Sequence, residues 1–148
     1  MKIKYYNLYT YFIFATLHRL LLISEKNRER IEKYITGIVN NNDSQLYSIY
    51  AHPEPVHFLI PGSPKFAENN IATIVAESSQ RFVNQNKLCV GKFSWQETAS
   101  AFSVFKSDVD KVCKYIRNRP KHHRKISFAE EYEQFIKFYQ RTLQPFRK

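Results

Sequence analysis

The fold of this chain is decided by residues 91–136, whose sequence is GKFSWQETASAFSVFKSDVDKVCKYIRNRPKHHRKISFAEEYEQFI. The loose alternation over 92–105 predicts one or two strands. Ser107 is placed to cap a helix over about 108–119. The inward residues of that helix are Val109, Val112, Cys113 and Ile116. A second amphipathic pattern predicts a last helix over about 128–143.

The sequence before Gly91 alternates between strand and helix patterns. The predicted elements are a strand over 5–16, a helix from the Ser24 cap to about 41, strands over 45–51 and 56–60, and a helix over about 68–85. The predicted inward face of this last helix is Ile71, Ile74, Val75, Ser78, Phe82 and Val83. This order predicts an α+β fold, an antiparallel sheet with helices packed on it, in one domain over 1–148.

Positive charge is concentrated at the C-terminal end. Residues 106–148 hold 12 Lys and Arg against 5 Asp and Glu, whereas the whole chain has a net charge of +10. A basic segment on a nearly neutral body favours a polyanionic partner, usually nucleic acid or an anionic membrane. A basic face that is only solvated fits the same numbers.

The cysteines and the N-terminal apolar run indicate where the protein works. Cys89 and Cys113 have no C-x-x-C spacing, which predicts reduced thiols in the cytoplasm. The run 8–23 is interrupted by His18 and Arg19, and it is shorter than the about 20 residues that a membrane helix needs. We therefore expect neither secretion nor membrane insertion.

Two side chains are candidates for chemistry. Alternation in the strand 56–60 puts His57 on the side opposite Val56, Phe58 and Ile60. A single histidine on a strand is either a packed side chain or a metal ligand. Tyr115 lies at the flank of the buried helix stripe, where a tyrosine is either a boundary residue or a group beside a bound phosphate. The basic cluster that favours the second interpretation is Arg117, Arg119, Lys121, His122, His123, Arg124 and Lys125.

The stretch 91–136 closely resembles the C-terminal half of single-tyrosine HUH insertion-sequence transposases, to which REP-associated tyrosine transposases are related. KYITGIV at 33–39, VHFLI at 56–60 and ESSQRFVNQ at 77–85 continue the likeness over about 9–136. The resemblance implies a ferredoxin-like HUH fold and a homodimer. It also implies that single-stranded or hairpin DNA is cut and rejoined through a 5′-phosphotyrosine, with Mg²⁺ or Mn²⁺ at the phosphate.

The family motifs map unevenly onto this chain. The nucleophile falls on Tyr115, and the His-hydrophobe-His motif falls on Pro55-Val56-His57, so Pro55 replaces one ligand. The third ligand position, often Gln in relatives, is Arg119 here, whose charge repels a metal. His57 remains, with His52 or Glu54 as possible substitute ligands if the chain changes register at the prolines.

Three functions are compatible with this pattern. The first is an active transposase with a rearranged metal site. The second is a degenerate or domesticated relative that binds DNA without strand transfer. The third is an RNA-binding protein that uses the same basic surface.

Overall fold

The structure is a computed structural model that describes residues 1–51, 55–118, 130 and 133. The chain divides into two units, Met1–Arg117 and Asn118–Lys148, and the fold below is that of the first. Its elements are β1 (Tyr9–Phe14), α1 (Glu25–Asn41), β2 (Ser48–Ala51), β3 (Val56–Pro61), α2 (Glu68–Gln85), β4 (Ser100–Val104) and α3 (Val109–Arg117). The predicted helix over 128–143 lies outside the described residues except for Glu130 and Glu133, and the single domain stays a prediction.

The four strands form one antiparallel sheet in the order β2-β3-β1-β4. The register pairs Phe12 with Phe58, and it pairs Ile13 with His57. Because side chains alternate along a strand, these two pairs lie on opposite faces of the sheet. The predicted α+β class is confirmed.

One face of the sheet carries the main core. Phe12, Phe14 and Phe58 are almost fully buried there, and their rings lie 5.1–6.1 Å apart. Two helices cover this face. The fourfold spacing of their buried residues turns a single stripe of each helix to the sheet. The stripes are Ile31, Ile35 and Val39 in α1, and Ile71, Val75, Ser79 and Val83 in α2.

The other face of the sheet is covered by α3, which contacts β2 and β3. Cys113 and Ile116 are its buried residues. The Ser48 hydroxyl of β2 donates a hydrogen bond of 3.4 Å to the carbonyl of Cys113. This contact fixes α3 over the face of β3 that carries His57.

In the part of the chain that the structure describes, no helix is long and apolar enough to cross a bilayer.

Several predicted boundaries were wrong. The first strand spans only Tyr9–Phe14 rather than 5–16, and the second begins at Ser48 rather than at 45. In place of one or two strands over 92–105, β4 covers Ser100–Val104 and Trp95 forms an isolated bridge with Thr16. Aromatic and β-branched residues continue past the strand ends, so composition alone does not mark where pairing stops.

Two predicted positions were also displaced by a residue or two. Ser107 lies inside a 3₁₀ turn, Lys106–Asp108, so it does not directly precede α3. In α2 the fully buried serine is Ser79, and Ser78 is only half-buried. Ser79 rather than Ser78 faces Trp95, which packs over α2. The Trp95 Nε1–H donates a hydrogen bond of 3.0 Å to the Ser79 hydroxyl.

Candidate active site

His57 lies in the middle of the sheet on the α3 face. Its neighbours in the register are Ile13 of β1 and Tyr50 of β2, and only 2% of its surface is exposed. The Tyr11 hydroxyl and His57 Nδ1 form a hydrogen bond, and their rings lie 5.7 Å apart. A tyrosine hydroxyl can donate or accept. The proton on this bond therefore selects the tautomer, and Nε2 is available as a ligand only when Nδ1 carries the hydrogen.

Pro55 stands immediately before β3 and is buried. It has no side-chain donor, so the motif Pro55-Val56-His57 contributes a single imidazole. His52 and Glu54, the possible substitutes, lie outside the described residues. Within residues 1–51 and 55–118, no three His, Cys, Asp or Glu side chains are grouped so that they could hold a metal ion. The described donors therefore do not fit the three-ligand Mg²⁺ or Mn²⁺ site that the resemblance implies.

Tyr115 lies on α3, the helix that covers the His57 face. Its side chain is half-buried. Cys113, two residues earlier, and Ile116, the next residue, are both buried. Lys111, one turn earlier, shares its side of the helix, and Lys111, Lys114 and Arg117 are exposed. Any phosphate at Tyr115 would therefore lie near cations. The structure brings the tyrosine helix and the histidine strand together on one side of the sheet.

The remaining predicted site residues are not placed. Arg119, Lys121, His122, His123, Arg124 and Lys125 lie outside the described residues. Arg117 is described and exposed, at the last turn of α3.

Tyr11 is the site residue that sequence reasoning missed. The stretch YTYFIF over 9–14 is apolar or aromatic at almost every position, so it has no alternation that would assign Tyr11 to a face. Only the strand register places it diagonally across from His57. A buried histidine needs a hydrogen-bond partner, and that requirement is the one signal that could have directed a search for it.

A groove lies elsewhere, between α2 and the β1–β4 side of the sheet. Its volume is about 430 Å³, with Phe12, Phe14 and Trp95 among its apolar lining. Glu68 and Glu97 also line it, and their carboxylates disfavour a phosphate. The groove is thus a poor place for DNA, and the candidate active site is the α3 face.

Comparison with solved structures identifies the fold. A proposed transposase from Deinococcus radiodurans R1, solved at 1.90 Å, matches with a TM-score of 0.60 and 19% identity over 80% of this chain and 95% of that one. The chain therefore has a transposase fold. It belongs to the family described as "Transposase IS200 like", whose model matches residues 4–119. No curated protein matches the chain.

Proposed function

We propose that this chain binds single-stranded or hairpin DNA and cleaves and rejoins it through Tyr115. The observation that carries the proposal is the packing of α3 on β2 and β3, which puts a half-buried tyrosine on the same side of the sheet as His57. Membership of the IS200-like family supports DNA as the substrate.

The proposed reaction is a transesterification at phosphorus. The Tyr115 hydroxyl loses its proton to solvent, its oxygen forms a bond to the scissile phosphorus, and the bond from phosphorus to the 3′-oxygen breaks. The leaving 3′-oxygen takes a proton from water. The product is a 5′-phosphotyrosine with a free 3′-hydroxyl, and reversal of the same steps rejoins a strand without ATP.

Lys111, Lys114 and Arg117 are the described groups that can oppose the negative charge of the phosphate. A tyrosine hydroxyl has a reference pKa near 10, so its attack at neutral pH depends on nearby positive charge. No step is assigned to a divalent ion, because the described donors do not fit one.

A second candidate function is DNA binding without strand transfer. It is favoured by the buried Pro55 at a ligand position. In that case the basic surface keeps its role while the chemistry is lost.

A nicking assay separates the two candidates. Single-stranded DNA that carries a hairpin is incubated with the protein and Mn²⁺, and covalent adducts are resolved on a denaturing gel. An active transposase gives an adduct that Tyr115→Phe abolishes while DNA binding is retained. Tyr34→Phe is the matched control, because Tyr34 stacks on Phe82 at 3.9 Å between α1 and α2, on the other side of the sheet. An adduct that survives Tyr115→Phe would show that another residue is the nucleophile.

We also propose that the protein is a homodimer. The β1 strand lies between β3 and β4 and is therefore inside the sheet, so it cannot pair with a second copy. The β4 strand lies at the edge, and Ala101, Ser103 and the nearby Phe105 are exposed. An edge strand presents backbone groups to which a second copy can pair.

A further inference from the structure

Four tyrosines occupy the chain segments at the end of the sheet where β1 begins: Tyr9 is the first residue of β1, Tyr5 and Tyr6 precede it, and Tyr47 directly precedes β2. Tyr9 and Tyr47 stack with their ring centroids 5.9 Å apart and their planes 29° from parallel. Tyr5 is 82% exposed, Tyr6 46% and Tyr47 41%. We call Tyr5, Tyr6, Tyr9 and Tyr47 the tyrosine surface.

The segment before β1 is attached to the sheet. The Gly62 N–H donates a hydrogen bond of 2.6 Å to the Leu8 carbonyl. A Cβ at position 62 would come within 2.8 Å of the Leu8 Cβ, so this close approach requires glycine. Tyr5 and Tyr6 therefore lie three and two residues before a backbone position that is fixed to the sheet.

The tyrosine surface is close to the candidate active site. Burial raises the pKa of Tyr47 above its usual value, and the neighbouring Tyr9, then Cys113 and Tyr6, raise it further. Ser48, the residue after Tyr47, donates a hydrogen bond to the carbonyl of Cys113 in α3, two residues before Tyr115.

The charged side chains of the segment that carries Tyr5 and Tyr6 are positive. Residues 1–24 contain no Asp or Glu, and Lys2 and Lys4 are exposed. The Lys4 ammonium lies 5.2 Å from the centre of the Tyr5 ring. Asp43, which follows α1, is engaged by Lys65 at 2.7 Å. Exposed aromatic rings with interspersed lysines are the combination that binds single strands, because the rings stack on bases while the cations attract phosphates.

We infer that the tyrosine surface stacks on unpaired bases of the single-stranded DNA that flanks the phosphate attacked by Tyr115. This inference rests on the proposed function and adds to it the part of the protein that contacts the bases. Exposed tyrosines bring a large apolar ring together with a hydroxyl that tolerates water, so they stay soluble without a ligand. Since every base has a π-face, the binding is expected to be tolerant of sequence.

The test compares two strands with the same phosphates. Fluorescence anisotropy measures binding of an oligo(dT) of about 12 nucleotides and of an abasic strand of equal length. The double variant Tyr5→Ala/Tyr6→Ala is expected to weaken oligo(dT) binding about tenfold or more and to leave abasic binding unchanged. Tyr5→Phe/Tyr6→Phe keeps the rings and is expected to bind like the starting protein.

Leu21→Ala is the matched control, because Leu21 is 71% exposed and follows the opposite end of β1. Equal losses on both strands, or no loss on either, would overturn the stacking surface. Vesicle binding that the alanine variant alone loses, with oligo(dT) affinity unchanged, would also overturn it in favour of a membrane contact. A starting protein that binds neither these two strands nor a single strand that carries a hairpin contradicts the proposed function itself, whereas equal affinity for oligo(dT) and the abasic strand contradicts only the stacking surface.

Discussion

Pro55 and His57 illustrate how two residues can decide whether this sheet holds a metal. Side chains at i and i+2 of a strand point the same way, so two imidazoles at 55 and 57 could grip one ion. Pro55 supplies no ligand, so His57, whose Nδ1 is hydrogen-bonded to Tyr11, offers only Nε2 as a ligand atom. Arg119 would add a further cation at the third ligand position.

Restoring ligands at positions 55 and 119 tests whether the site has lost metal binding through these two substitutions. We expect Pro55→His with Arg119→Gln to raise Mn²⁺ affinity, measured by calorimetry, and to raise the nicking rate. Pro55→Ala with Arg119→Gln is the control, because it removes the proline and the charge without adding an imidazole. If Arg119→Gln alone destroys a basal, metal-independent activity, the guanidinium has replaced the metal and the site is not broken.

The helices and the strands differ in how far the sequence predicts them. The helix predictions for α1 and α2 match the structure, since Ser24 accepts a hydrogen bond from the Asn27 N–H and the fourfold spacing of buried residues in α2 runs from Ile71 to Val83. Tyr115 at the flank of α3 likewise follows from periodicity. Strand ends and the Tyr11–His57 contact do not, because they depend on register between segments far apart in sequence.

The hydrogen bond between α2 and Trp95 gives a prediction for these elements. Ser79→Ala leaves the buried Trp95 N–H without this acceptor, so the free energy of unfolding should fall by about 1–3 kcal/mol. Ser78→Ala, at the half-buried neighbour, should change it by about 0.5 kcal/mol or less. Both variants gain the same helix propensity, so urea denaturation of the pair reports the loss of the buried Ser79 hydroxyl, which accepts from Trp95 and also donates to the Val75 carbonyl at 2.6 Å. Equal midpoints and slopes for the two variants would contradict this role of Ser79.

At the scale of the whole molecule, the edge position of β4 predicts how two copies meet. Light scattering at micromolar concentration should give twice the 17.7 kDa mass of one chain. Ala101→Lys should shift the protein towards the monomer, because charge on an edge strand disfavours pairing of two copies. Thr73→Lys on the exposed side of α2 is the control and should leave the dimer intact. A species of 17.7 kDa alone in the starting protein would exclude the dimer at that concentration.

The charge distribution of the whole chain predicts how DNA binding depends on salt. Each phosphate neutralised by Lys or Arg releases counterions, so affinity falls as salt rises, with a slope of about 0.7 per phosphate for single strands. Neutralising Lys121, Arg124 and Lys125 together should lower affinity and reduce that slope by about 2. Neutralising Lys26, Arg30 and Lys33 removes as much charge from α1, on the sheet face opposite α3, and should leave the slope unchanged. The alanine variants of the tyrosine surface should also keep the slope, because stacking releases no counterions. If both charge triples reduce the slope equally, binding depends on net charge alone and the basic cluster has no particular role in it.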